Sequence, residues 1–388
     1  MKKITIWPFI YLSYLSMFCL GFADNIRGPL FGYILKEYSL SDGTGAWFFS
    51  TSSLCSFAGS ILARVLIKKI DRIQGIQISF LLFIMGNIIF GIANHFYWVL
   101  LGAVFIGLSF GLLGILQNVL VTIGADSKRQ QQFITGLHAI YGLSSLLAPL
   151  MVALFIGFDN QWRLVFFATA FLSFLGLVYT FSIKKEFFEL AKYKSDEEQA
   201  HKNIWSIDKV YIASVIAIYS MVELMLATRM SLYLQRTHQY SVNEASFSLS
   251  SFYVLFLLGR IIFSLKPINI PLRKQIAVML LVSAITMALG FYKYPYLLIL
   301  SGLFMAPCYP FCVGYMTEYY SKQFDEIIYV AFMLQAFFIV SMHISIGYLS
   351  DWIGLAKAVW MGPIFLLIAF LLLINFDSFY KKNNIQKL

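Results

Sequence analysis

Charge is what this chain has least of. Asp, Glu, Lys and Arg together make up 12% of its 388 residues, about half the roughly 25% of a soluble domain, which excludes a single water-solvated core. Cysteine is also sparse. The four present (Cys19, Cys55, Cys308, Cys312) all fall in apolar runs, which excludes a disulfide framework and reads as small packing residues. Cys308 and Cys312 stand four apart around Pro310 with no His or carboxylate beside them, so no metal site is expected. The chain lacks a phosphate-binding loop, a Gly-x-Ser-x-Gly turn and a metal-spaced His/Glu set. An enzyme is therefore not expected, and no cofactor is implied. No polar stretch is long enough to hold a nucleotide-binding domain, so any transport must draw on an ion or solute gradient.

Long apolar runs are present instead. The composition is 60% hydrophobic with 38 Phe and 23 Tyr, and the mean hydropathy is +0.76. The runs are near-continuous and of helical length, which excludes a β-barrel of short alternating strands. The fold class is an all-α membrane protein, with twelve spans predicted at 6–35, 44–67, 74–93, 97–123, 131–157, 163–183, 209–235, 244–265, 274–292, 295–320, 327–349 and 356–377. Asn94-His95, Asp159-Asn160 and Lys293-Tyr294 read as tight turns. The first run has no cleavage-type ending and is read as a retained span. The aromatics are expected mostly at the lipid face and the membrane interfaces.

The net charge of +10 reflects topology rather than nucleic-acid binding. With the N-terminus inside, 22 of the 29 lysines and arginines fall on the cytoplasmic side and 5 on the other, with Arg27 and Arg229 inside spans. Both termini are thus expected in the cytoplasm, in the plasma (inner) membrane, with lipid and a small-molecule solute as partners and a monomeric state. The polar segment 184–208, with Lys194-Ser195-Asp196-Glu197-Glu198, divides the chain into six-helix bundles at 1–183 and 209–388. A short internal echo accompanies the division. Phe49-Ser50-Thr51-Ser52-Ser53-Leu54 precedes Gly59, and Phe247-Ser248-Leu249-Ser250-Ser251-Phe252 precedes Gly259, with spacings that differ by two.

The few polar groups within spans carry the functional expectations. A charge near mid-bilayer costs about 2.5–3.5 kcal/mol on insertion scales. Asp24 and Arg27 share a helix face, with Asn25 between them. They either line a polar pathway or clamp each other. Gly28-Pro29 follows and is expected to interrupt the helix. Glu223 and Arg229 give span seven an acid and an arginine at similar depth, either as a protonatable group, as a salt bridge, or as part of an arginine pair gripping an anion. His138 and His343 occupy pseudo-equivalent spans five and eleven, where packing and proton handling are both open. Gln117, Asn118 and Gln335 are amides for interhelical bonding or solute contact. Tyr141, Tyr309 and Tyr315 are candidate cavity residues. Pro149, Pro307, Pro310 and Pro363 are expected to bend their helices. Arg64, Lys68, Lys69 and Arg260, at cytoplasmic ends of spans two and eight, are read as gating or anchoring.

Five stretches resemble the major facilitator superfamily, and within it the fucose–galactose–glucose:proton symporter branch. They are Leu137-His138-Ala139-Ile140-Tyr141-Gly142-Leu143 with Pro149, Gly302-Leu303-Phe304-Met305-Ala306-Pro307-Cys308-Tyr309-Pro310, Ser250-Ser251-Phe252 with Gly259-Arg260, Gln117-Asn118-Val119, and Gln161-Trp162-Arg163. The resemblance implies two rocking six-helix bundles and gradient-driven movement of a small polar solute, a sugar or organic anion, coupled to protons through Asp24, Glu223 or both. Two departures stand out. Asp24 lies four residues before the branch's helix-one acid, and Gln117 and Asn118 stand where the branch has a helix-four carboxylate. A proton-driven exporter of drugs, siderophores or other amphipathic metabolites and a non-transporting sensor of the same fold are the alternative readings.

Overall fold

The computed structural model describes residues 5–126, 129–157, 161–192, 205–265, 269–320 and 323–385. The Asp159-Asn160 turn and the charged run 194–198 lie outside them. The described residues form helices only: α1 Trp7–Asn25, α2 Arg27–Glu37, α3 Asp42–Leu66, α4 Arg72–Ile92, α5 Phe96–Gly124, α6 Gln130–Gly157, α7 Leu164–Phe181, α8 Lys185–Leu190, α9 Ile207–His238, α10 Val242–Leu265, α11 Leu272–Tyr292, α12 Tyr296–Met305, α13 Cys308–Tyr320, α14 Phe324–Ile353, α15 Leu355–Ala358 and α16 Met361–Ile385. Helices are what hydrocarbon permits, because they satisfy every backbone group internally. Eleven spans are long and apolar enough to cross a membrane, and the bent pair α1–α2 brings the number to twelve.

The chain forms two compact units, Met1–Leu40 with Trp47–Gln199 and Ser41–Ala46 with Ala200–Leu388. In the first, α1 packs along α5 and α6, and α4 along α5 and α7. In the second, α9 packs along α14 and α16, α10 along α12, and α11 along α12 and α16. The stretch expected as a polar linker from residue 184 begins instead with α8, and Asp208 lies inside α9, where Tyr320 donates to its carboxylate (2.8 Å).

Local chemistry sets the helix ends. Asp71 caps α4 by accepting from Gln74 N (2.9 Å), with the Gln74 side chain returning the contact. Gln239, at φ 56°, ends α9 in the left-handed conformation. The first span, expected to be interrupted at Gly28-Pro29, bends by 42° at Ile26. The cause is Pro29, whose ring crowds the carbonyl four residues back and offers no N–H to it, so the break falls at Asn25-Ile26 rather than at Gly28-Pro29 itself. The tenth span breaks likewise between Met305 and Cys308, beside Pro307.

Aromatic rings fill the interior to a larger extent than expected. Phe9, Phe31, Phe48, Phe49, Phe80, Phe83, Phe166, Phe252 and Phe376 are fully buried, many meeting edge to face, as with Phe31–Phe49 at 5.0 Å. Tyr97, Tyr292 and Trp352 are strongly exposed at helix ends, the interfacial position expected of the rest.

The repeat has a physical basis in bare backbone contacts. A Cβ added at Gly107 would meet the Ser52 carbonyl, and one at Gly59 would meet the Leu108 carbonyl. In the second unit Gly302 faces the Phe252 carbonyl and Gly259 the Leu303 carbonyl. Ser52, Gly59, Gly107 and Leu108 thus correspond to Phe252, Gly259, Gly302 and Leu303. The register is fixed by the glycines, which explains why the Phe-Ser strings are offset by two.

Candidate functional site

Among the described residues, each unit holds a polar cluster built where a proline breaks a span. In the first unit Asp24 lies in the last turn of α1 and Arg27 opens α2. Arg27 is 5% exposed and Asp24 17%, so the carboxylate is the more accessible member of the pair. Arg27 Nη2 bonds Asp24 Oδ1, and its Nε donates to the Asp24 carbonyl (3.3 Å). Arg27 Nη1 donates to Ser52 Oγ (2.6 Å), and the guanidinium lies over the rings of Phe49 (5.6 Å) and Phe110 (4.9 Å). Tyr141 completes the set by donating to Asp24 Oδ2 (2.8 Å). All three guanidinium nitrogens are thereby engaged, and both carboxylate oxygens receive a donor.

Asn25 stands beside this cluster in a structural role. Its Nδ2 donates to the Gly21 carbonyl (2.8 Å) and to Ser145 Oγ (2.9 Å), tying α1 to α6. Gln117 is buried with its amide at 3.3 Å from Met17 Sδ, and Asn118 bonds its own helix at Gly114 O (2.8 Å). The geometry brings neither amide to Asp24. His138 is exposed on α6, one turn before Tyr141.

In the second unit the cluster gathers around Glu223 of α9. Tyr219, one turn earlier, donates to the Met305 carbonyl (2.7 Å) at the α12–α13 break and also hydrogen-bonds the Glu223 side chain. Tyr309 bonds Gln335, whose Nε2 donates to Ser220 Oγ (2.9 Å). Arg260 was expected to act at the cytoplasmic end of its span, but it belongs here. It lies over the Phe256 ring (4.6 Å) and within electrostatic reach of Tyr219 and Tyr309, because its long side chain reaches back along the helix from its anchor. His343 is buried on α14, two turns beyond Gln335.

Glu223 and Arg229 both lie on α9. The two are six residues apart, which places them on different faces of α9. Arg229, 2% exposed, lies instead within electrostatic reach of Asp42 and Arg236. Arg236 Nη1 reaches both oxygens of Asp42 (2.8 and 2.7 Å), and Asp351 accepts from the amides of Asp42 and Gly43 (2.8 and 2.9 Å). Tyr315 also stands elsewhere, donating with Tyr319 to Asp377 Oδ1 (2.6 Å each), a carboxylate that further bonds Arg273. Arg64, Lys68 and Lys69 are exposed at and beyond the end of α3.

Ser52, Ser145, Tyr219 and Ser220 were not singled out in the sequence, since Ser and Tyr are common in its spans. Their signal is helical spacing from a charged residue, as Tyr219 shows one turn from Glu223. Asp42 and Asp377 sit at span ends, where a charge carries little insertion penalty and draws no attention.

In each unit, helices long and apolar enough to cross a membrane hold engaged charges in the interior. The sequence profile of the Major Facilitator Superfamily matches residues 13–326, and the chain belongs to that superfamily. It is 21% identical to hexose transporter 1 of Plasmodium yoelii yoelii over 53% of this chain and 45% of that protein. It is 22% identical to the TsgA homolog of Buchnera aphidicola subsp. Baizongia pistaciae over 77% of each. It is 23% identical to the glucose/mannose transporter GlcP of Bacillus subtilis over 45% of this chain and 44% of that one. The chain thus aligns with less than half the length of the two sugar transporters. Among solved structures, a D-xylose-proton symporter superposes with a TM-score of 0.79 at 12% identity, covering 96% of this chain and 98% of the other. A peptide transporter, POT, in complex with sulfate superposes at 0.74 with 14% identity over 95% and 94%. At these identities the likeness is one of fold.

Proposed function

We propose that the protein is a secondary transporter that moves a small, uncharged polar solute of the sugar class by alternating access, coupled to protons through Asp24 and Glu223. The observation that carries this reading is the state of Arg27. Its guanidinium is taken up by Asp24, Ser52 and two aromatic rings. An organic anion would have to strip a buried cation of partners already in place, which favours a neutral solute over an anionic one. The sugar-transporter relatives support the same class.

Proton coupling has a hydrogen-bond argument. Each acid stands inside a span beside a tyrosine hydroxyl, Asp24 beside Tyr141 and Glu223 beside Tyr219, and this supports assigning the proton to the two acids. In the first unit Asp24 is the group that can exchange a proton, and protonation loosens its hold on Arg27. Asp24→Asn and Glu223→Gln are expected to abolish accumulation against a gradient while leaving expression and solute exchange measurable. Sugar-dependent alkalinisation of a weakly buffered cell suspension reads the coupling directly. Undiminished alkalinisation by both variants would remove these acids from the role.

A further inference from the structure

The first unit carries a second built feature away from Asp24. An open cavity of about 620 Å³ lies where the end of α3, the start of α4, the end of α7 and α8 converge. Lys68, Lys69, Lys185, Lys192, Phe181 and Phe188 are among the residues that line it. The acidic lining residues are committed elsewhere: Asp71 caps α4, and Glu189 pairs with Lys192 (2.6 Å). The lining keeps an excess of positive charge. The wall behind it is fixed by Arg72, 1% exposed, whose Nη1 donates to the carbonyls of Ala191 (3.0 Å) and Lys192 (2.8 Å). That bond pins the chain after α8 against the start of α4, so the cavity holds its shape. Phe181, the last residue of α7, is 72% exposed and continues the apolar surface of a membrane-spanning helix up to the lysines.

We propose that this cavity binds the headgroup of an anionic phospholipid. Lys68, Lys69 and Lys185 meet the phosphodiester, and the glycerol and upper acyl chain lie on Phe181 and Phe188. Ammonium groups clustered beside membrane-facing aromatics match a ligand that is anionic at one end and apolar at the other. Inorganic phosphate shares the anionic chemistry but makes no use of the aromatic rings. The lysines also lie on the side that the Lys and Arg distribution assigns to the cytoplasm.

The test uses the full-length protein in detergent, titrated separately with phosphatidylglycerol, phosphatidylcholine and inorganic phosphate, with binding read by native mass spectrometry and by thermal shift. Phosphatidylglycerol is expected to bind more tightly than phosphatidylcholine. The exposed-site double variant Lys68→Gln/Lys185→Gln is expected to lower its affinity about tenfold, with phosphatidylcholine binding and the lipid-free melting temperature unchanged. Phe181→Ser is expected to weaken phosphatidylglycerol alone. Equal affinity of the lysine variant and the parent for phosphatidylglycerol overturns the proposal. So does a thermal shift by inorganic phosphate as large as that by the lipid, which would make the cavity a free-anion site.

Discussion

Arg27 decides most of what the first cluster can do. A buried guanidinium needs its carboxylate, and removing one member of such a pair costs about 3–5 kcal/mol, because the other is left charged and dry. Asp24→Asn is therefore expected to lower the melting temperature of the purified protein as well as its coupling. The double variant Asp24→Asn/Arg27→Gln is expected to recover much of the stability without recovering accumulation, and a thermal double-mutant cycle measures the difference. Tyr141 holds the second carboxylate oxygen (2.8 Å). A hydrogen bond to a charged group contributes about 1.5–3 kcal/mol, so Tyr141→Phe is expected to lower the melting temperature of the purified protein while leaving the fold intact.

At the scale of helices, bare backbone contact and proline breaks govern the architecture. An ideal Cβ at Gly111 would lie 2.5 Å from Ser60 N and 2.7 Å from a Gly59 backbone carbon, whereas one at Gly114 meets nothing within 4 Å. Gly111→Ala is expected to destabilise by about 1–3 kcal/mol through overpacking. Gly114→Ala, one turn on, is expected to stabilise by up to about 1 kcal/mol through helix propensity. Chemical denaturation of the two variants side by side separates contact from propensity. The spans were legible in the sequence because apolar run length alone sets them, to within a few residues. The location of the first break was less so, since a proline acts on the carbonyl four residues before it and the eye stops at the proline. The contacts of Arg260 were hidden for a related reason: its position along the chain marks the backbone, while a long side chain delivers its charge elsewhere. Asp24, Arg27 and Glu223 were visible because an apolar run makes any charge conspicuous. Ser52 and Tyr219 were not, because nothing in their own chemistry separates them from the other serines and tyrosines.

For the molecule as a whole, orientation and solute class are the properties most directly open to measurement. We propose from the distribution of Lys and Arg that both termini lie in the cytoplasm, so a fluorescent protein fused at the C-terminus is expected to be bright and an alkaline phosphatase fusion there inactive. A neutral solute predicts that excess hexose or pentose inhibits uptake and that excess dicarboxylate does not. The four backbone-to-backbone glycine contacts add a mechanical consequence. At these glycines the helices approach one another's backbone directly, so neither helix of such a pair can slide or roll on the other there without collision. Those pairs behave as stiff keels. In the proposed transport cycle, flexing is expected where a proline withholds its N–H from the backbone ladder, at Pro29 and Pro307, the same two places where the ionisable clusters sit.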